Sequence, residues 1–388
     1  VAEIIVEDEF IAKLESGRNL RLKEGFDPSS TDIHLGHAVA LRKLRQLQEL
    51  GHKVILIVGD WTAQIGDPSG VSATRRMLTP ETVQANAQTY MDQFFRIVDR
   101  HRTEVMWQSE WFGKFDLGDV VRLTSRFTVA QMLTRDDFSK RYANNTPISV
   151  TELLYPMLQA YDSVAIQSDV EFGGTDQKFN CLVGRELQRE LHQEPQDVFL
   201  TPLLVGTDGT QKMSKSLGNY IGITEPPNEM YGKVMSLADK VMLDYFDLVT
   251  DVSNEEIAQF RADLATSRVN PRDIKMRLAR EITGQFHNSE AALQAEREFQ
   301  RVFQQRELPD DIPVYILKRS AGRAPSVSET VLAAGLAASR AEARRLMSQG
   351  GVRLEDEKME NEDGLDKVID GSVLRVGRRR FVRLVWDK

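Results

Sequence analysis

Residues 19–58 confine the chain to a narrow choice of folds. Leu20 and Leu22 alternate with polar neighbours over residues 19–23, which predicts a strand. A loop carrying Asp27, Pro28 and Ser29 follows. From Leu35, apolar residues recur at Ala38, Leu41, Leu44, Leu47 and Leu50, one stripe of a helix that Gly51 would close with a left-handed cap. Residues 53–58, Lys-Val-Ile-Leu-Ile-Val, are the continuous apolar run of a parallel strand covered on both faces. Strand, helix and strand make a βαβ unit, and the class it predicts is α/β with a doubly wound parallel sheet. Ligands bind beyond the carboxyl ends of such strands. His34, Gly36 and His37 start the helix there. Unpaired N–H groups and the dipole of a helix start favour an anion, most naturally phosphate. Two imidazoles add donors, and Gly36 leaves room for a flat base or ribose. Taken alone, His-x-Gly-His is equally the pattern of a helix start with two ordinary surface histidines.

The later segments repeat the theme of a strand handing polar residues to a helix. The loop over residues 59–70 should border the same crevice and aim Asp67 into it, the plainer reading being a turn with a solvated carboxylate. A helix from Thr79 and a strand over residues 103–108 follow. Residues 113–150 break the alternation with short helices rich in apolar and charged residues, an insertion whose surplus apolar surface suits subunit contact. Ser149 and Glu152 form a capping box for a helix in which Tyr155, Gln159 and Asp162 share one face. Phenol, amide and carboxylate in one row satisfy both ends of a small zwitterion that carries its own hydroxyl. A strand over residues 170–172 then delivers Gly174, Asp176 and Gln177 to the next helix start, as ribose recognition requires. After another strand over residues 197–205, Lys212 and Lys215 lie on a loop bounded by Gly206, Gly209 and Gly218. Such a loop can swing onto a polyphosphate and supply charge late in a reaction.

Residues 226–306 read as helical, residues 307–313 and 318–325 as linkers, and residues 326–388 as two capped helices with short strands. Charge separates this end from the rest. The 388 residues carry a net charge of −8, yet residues 314–388 hold fifteen Lys and Arg against eleven Asp and Glu, a net of +4 that leaves −12 elsewhere. Arg340, Arg344 and Arg345 crowd one helix and Arg378, Arg379 and Arg380 precede the last strand, a phosphate footprint for RNA. The single cysteine, Cys181, excludes an internal disulfide and a cysteine-based zinc site. With an acidic opening stretch and no apolar run long enough for a bilayer, these features predict a cytoplasmic protein away from membranes.

His34-Leu35-Gly36-His37, with Lys212-Met213-Ser214-Lys215-Ser216, resembles the paired HIGH and KMSKS signatures of class I aminoacyl-tRNA synthetases. Tyr155, Gln159 and Asp162, preceded by Gly66-Asp67-Pro68 and followed by Gly173 to Gln177, resemble the tyrosyl-tRNA synthetase pattern of bacterial type. The segment from Ser326 resembles an S4-like RNA-binding domain. The resemblance implies a Rossmann-like catalytic domain over residues 1–225, a helical anticodon-side domain over 226–317 and the S4-like domain over 326–388. It implies that tyrosine is activated with Mg·ATP to tyrosyl-adenylate and transferred to tRNA(Tyr) by a homodimer, with no metal held by the protein itself. Asp162 would accept the substrate phenol, while Asp67, Tyr155 and Gln159 would hold its ammonium group. Gln177 would sit near the carboxylate, and Asp176 with Gly174 near the ribose. Asp27, Ser29, His34, Gly36 and His37 would line the ATP site, with Lys212 and Lys215 closing over the phosphates. Lys23 and Glu24 depart from one branch of the family, which has a tyrosine against the phenol and a cysteine near the ribose at these positions. A tryptophanyl enzyme or a non-catalytic RNA-binding relative is the alternative reading.

Overall fold

The computed structural model describes residues 1–28, 32–68, 78–303, 312–319, 323–355, 357–362, 365, 368–377 and 380–387. They form two compact units, Val1–Leu293 and Gln294–Lys388.

The first unit is built on six strands, β1 (Glu3–Ile5), β2 (Arg21–Phe26), β3 (Lys53–Val58), β4 (Thr103–Trp107), β5 (Val170–Gly174) and β6 (Asp197–Thr201), ordered β1-β6-β5-β2-β3-β4. All neighbours run parallel except β1, which pairs antiparallel with β6. The chain steps outward from β2 to β3 and β4, then returns to lay β5 on the other side of β2. That reversal is where a doubly wound sheet places its ligand. The pairing shows how the opening arises. β2 matches β3 over all six residues but meets β5 only at Leu22↔Val170 and Lys23↔Glu171. Beyond these pairs the strands part, with Glu24, Gly25 and Phe26 on one side and Phe172, Gly173 and Gly174 on the other. Lys23 and Glu171 also form a fully buried ion pair at 2.8 Å, and the ammonium donates further to Gln159 O at 2.9 Å and Ser163 Oγ at 2.7 Å.

Around the sheet lie α1 (Glu7–Glu15), α2 (Leu35–Glu49), α3 (Thr62–Ile65) and α4 (Pro80–Phe94). In α2 the residues Leu35, Ala38, Leu41 and Leu44 are buried, as the stripe predicts, but Leu50 is 75% exposed. A repeat of three drifts around a helix of 3.6 residues per turn, so Gln48 takes the buried place instead. Gly51, at φ +100°, closes the helix. The insertion comprises α5 (Ser109–Phe112), α6 (Leu117–Thr124), α7 (Val129–Met132) and α8 (Asp136–Ala143). It is tied to α9 (Val150–Ile166) by buried Arg141, which donates to Glu152 and to Pro147 O. Glu152 in turn completes the capping box with Ser149. α9 packs on α10 (Lys178–Glu190) through Ala160, Val183 and Leu187. A helical run follows, α11 (Pro227–Met235), α12 (Met242–Val249), α13 (Asn254–Ala265), α14 (Pro271–Phe286) and α15 (Ser289–Phe303), in which the first unit ends. Arg42 of α2 donates to Asp251 and to Asp247 O, which binds this run to the sheet side.

The second unit has a five-stranded sheet of β7 (Val314–Leu317), β8 (Val352–Leu354), β9 (Glu357–Lys358), β10 (Val373–Val376) and β11 (Arg380–Trp386), ordered β7-β11-β10-β8-β9. With it go α16 (Val327–Ala333) and α17 (Arg340–Ser348), and Leu317, Val331, Ala343, Leu374 and Leu384 share one core. β7 pairs parallel with β11. The sequence reading does not foresee it, because residues 314–317 lie between two linker-like stretches.

Candidate active site

A cavity of about 380 Å³ opens where β2 and β5 part. Its helical wall begins with a reciprocal cap: His34 Nδ1 accepts from Gly36 N at 3.2 Å, and His37 Nδ1 accepts from His34 N at 3.2 Å. With both Nδ1 atoms accepting, each imidazole carries its proton on Nε2 and presents that N–H as a donor. Burial drives the two groups down, His34 to about 2 and His37 to about 4, so both are neutral at physiological pH. The helix start therefore offers dipoles and donors and no imidazolium charge. A Cβ at Gly36 would lie 2.9 Å from the His34 ring, so the cap needs glycine.

The deep end is walled by α9. Asp162, 3% exposed, accepts from Gln108 Nε2 at 2.8 Å and from Trp111 Nε1 at 3.2 Å. Burial still pushes its carboxyl up to about 7, against the pull of Lys23 and these donors. Tyr155 donates from its hydroxyl to Asp27 Oδ2 at 2.9 Å, and Thr62 Oγ1 donates to Asp27 Oδ1 at 2.6 Å. An amide relay runs along the floor. Gln159 Nε2 donates to Glu171 at 3.1 Å, Asn180 Nδ2 donates to both Gln159 Oε1 and Gln177 Oε1 at 3.0 Å, and Gln177 Nε2 donates to Asp67 Oδ2 at 2.8 Å. Glu24 also lines the cavity, and burial raises its carboxyl well above the usual range.

At the mouth, Lys212 Nζ pairs with Asp176 Oδ2 at 2.9 Å, and Lys215 Nζ with Asp32 Oδ2 at 2.6 Å. Asp176 stands beside Gly174, where a Cβ would meet its carboxylate at 2.7 Å. The cavity thus collects Asp27, His34, Gly36, His37, Asp67, Tyr155, Gln159, Asp162, Gly174, Asp176, Gln177 and Lys212, residues that the sequence scatters over 186 positions. Lys215 lies outside its lining, on Asp32. Ser29 lies outside the described residues. In the second unit Arg340, Arg344 and Arg345 are exposed on α17, Arg340 paired with Glu329 and Arg344 with Glu362. Arg380 donates to Leu336 O, and Arg378 and Arg379 lie outside the described residues. Gln108, Trp111, Asn180 and Arg135 belong to the site without having been singled out. Only Gln108, directly after β4, carries a signal in its position at a strand's carboxyl end.

Two neutral imidazoles at a helix start, a group of carboxylates and two lysines at the mouth gather where the sheet reverses, the mark of a ligand-binding doubly wound α/β protein. The family described as tRNA synthetases class I (W and Y) matches residues 15–304, and the chain belongs to it. Among its relatives, the tyrosine–tRNA ligase of Dehalococcoides mccartyi (strain CBDB1) is 60% identical over 385 residues, covering 99% of this chain and 96% of the relative. That of Moorella thermoacetica (strain ATCC 39073 / JCM 9320) is 54% identical, covering 99% and 93%. The crystal structure of the Archaeoglobus fulgidus tyrosyl-tRNA synthetase complexed with L-tyrosine is similar with a TM-score of 0.63 at 25% identity. It covers 76% of this chain and 96% of that one.

Proposed function

We infer that the chain is a tyrosine–tRNA ligase, which joins L-tyrosine to ATP and passes the tyrosyl group to the 3′ end of tRNA(Tyr). Curated relatives of that name, similar over nearly the full length of both chains, support this reading. In the site, the observation that carries it is Asp162, a buried carboxyl on the cavity wall whose ionised form can accept a phenolic hydroxyl. A phenylalanine ring would leave that polar group without its partner. Amino-acid-dependent exchange of labelled pyrophosphate into ATP, run with tyrosine, tryptophan and phenylalanine, tests it. Tyrosine alone should support rapid exchange, and exchange with tryptophan instead would overturn the assignment.

Asp67 takes the substrate ammonium with Tyr155 and Gln159 beside it, and Gln177 sits near the carboxylate. Asp176 and Gly174 hold the ribose, and Asp27, Ser29, His34, Gly36 and His37 line the ATP site. Mg²⁺ enters on the phosphates as part of the substrate Mg·ATP. The tyrosine carboxylate forms a bond to the α-phosphorus as the bond to the β-phosphate bridging oxygen breaks, and pyrophosphate leaves. No protein nucleophile takes part. Rate comes from alignment and from donors and charges aimed at phosphorus, the Nε2–H groups of His34 and His37 and the ammonium groups of Lys212 and Lys215. A ribose hydroxyl of the tRNA end then attacks the adenylate carbonyl and AMP departs. Residues 1–225 carry the chemistry, 226–317 the anticodon side, and 326–388 grip tRNA through Arg340, Arg344, Arg345, Arg378, Arg379 and Arg380. The enzyme acts in the cytoplasm, a reading supported by the single buried cysteine, and among the described residues no helix is long and apolar enough to cross a membrane. It pairs as a homodimer through residues 113–150, where Leu117, Val121 and Val129 are exposed.

A further inference from the structure

The insertion sends one cation into the amino-acid end of the site. Arg135, between α7 and α8, is only 4% exposed. Its Nη2 donates to Asp67 Oδ1 at 3.1 Å, its Nε pairs with Asp137 Oδ1 at 3.0 Å, and its guanidinium lies over the Phe138 ring at 5.4 Å. Asp67 is therefore held at both oxygens, by Arg135 on one and Gln177 on the other. Asp67 and Asp137 repel each other, and burial together with that repulsion raises the Asp137 carboxyl. A buried guanidinium between them makes two neighbouring, partly exposed negative charges tolerable and fixes where each points. A buried ion pair is weak evidence for stability as such, since apolar side chains of similar volume often serve as well. This one grips the carboxylate that faces the substrate.

We propose that Arg135 is a positioning residue of the amino-acid site, holding the Asp67 carboxylate in place to meet the ammonium group of the substrate. The proposal rests on the reading of Asp67 given above, and the two are separable. The full chain is titrated with tyramine, which keeps the amine and lacks the carboxylate, and with 3-(4-hydroxyphenyl)propionate, which keeps the carboxylate and lacks the amine. Asp67→Asn should weaken tyramine and spare the propionate; equal effects on both would overturn the reading of Asp67 itself. Arg135→Met should weaken tyramine by about tenfold to a hundredfold, the range for a misplaced charge-assisted hydrogen bond, and leave the propionate within about twofold. Arg135→Lys should fall between Met and parent. ATP binding serves as the check of folding, and Arg135→Gln replaces the Met variant if that check fails. With Asp67→Asn behaving as expected, equal weakening of both probes by Arg135→Met would show a structural role only. Tighter tyramine binding would show that Arg135 merely competes for Asp67, and loss confined to the propionate would place Arg135 on the substrate carboxylate. Each of these three results overturns the proposal.

Discussion

If Asp162 accepts the substrate phenol as proposed, amino-acid binding should depend on pH through it. Its carboxyl stands at about 7, raised from 3.8 chiefly by burial, so it passes to the acceptor form as pH rises through neutrality. The affinity for tyrosine should increase between about pH 6 and 8, and that of phenylalanine, which has no hydroxyl to donate, should not follow it. The histidines stay out of this range, at about 2 and 4. Asp162→Ala should flatten the profile and reduce the preference for tyrosine over phenylalanine by about tenfold or more, read as kcat/KM in pyrophosphate exchange. Discrimination equal to that of the parent would move the phenol away from Asp162. The linked stability has a definite sign. Between about pH 4 and 7 the folded chain keeps a proton that the unfolded chain has lost, so this carboxyl costs stability as pH rises across that interval. Asp162 was legible because Tyr155, Gln159 and Asp162 recur on one helical face. Gln108 and Trp111 were not, because they come from elements more than fifty residues away, and only the place of Gln108 at the carboxyl end of β4 marks either of them.

Between elements, the parting of β2 and β5 hinges on Lys23 and Glu171, the last pair before the opening. All three donors of Lys23 are taken, by Glu171, Gln159 O and Ser163, so Lys23 has none to offer the phenol despite its place in the sequence. Lys23→Met should cost about 3–5 kcal/mol in urea unfolding, because Glu171 stays buried without its counter-charge. Adding Glu171→Gln should recover a large part of the loss, and a cost under about 1 kcal/mol for the single change would mean that the pair does not hold the strands. The Lys212–Asp176 and Lys215–Asp32 bridges are half exposed and weak, which is compatible with the proposal that the loop exchanges them for contacts to phosphate. Lys215→Ala should slow adenylate formation in single turnover by about a hundredfold and leave tyrosine binding nearly unchanged. An unchanged rate would remove its role. The βαβ core was readable from periodicity because β3 is buried along nearly its whole length and α2 carries a long stripe. β1, β7 and β9 have two to four residues each, too few for an alternation to show, and the end of the α2 stripe was misread because a three-residue repeat slides off a 3.6-residue helix.

Across the whole molecule, the residues given to ATP and tyrosine all lie in the unit Val1–Leu293, and the exposed arginines of α17 lie in Gln294–Lys388, which has its own core. The charge follows this division, since residues 314–388 are net positive on an otherwise acidic chain. Because β7 pairs with β11, a truncation within residues 318–325 would strip one strand from its sheet, and the cut belongs before Ile312. A chain ending at Phe303 retains nearly all of the residues matched by the family. It should keep tyrosine-dependent pyrophosphate exchange within a few fold of the parent and lose most transfer to tRNA. Contacts between arginine and phosphate release counterions, so the tRNA affinity of the full chain should fall steeply with salt while that of the truncated chain is already weak at low salt. A pairing surface within residues 113–150 would also survive the cut, and sedimentation should report the truncated chain as a dimer. Loss of exchange together with charging would mean that the second unit supports the catalytic fold. Normal charging by the truncated chain at moderate salt would take the RNA-binding role away from Arg340, Arg344, Arg345 and Arg380.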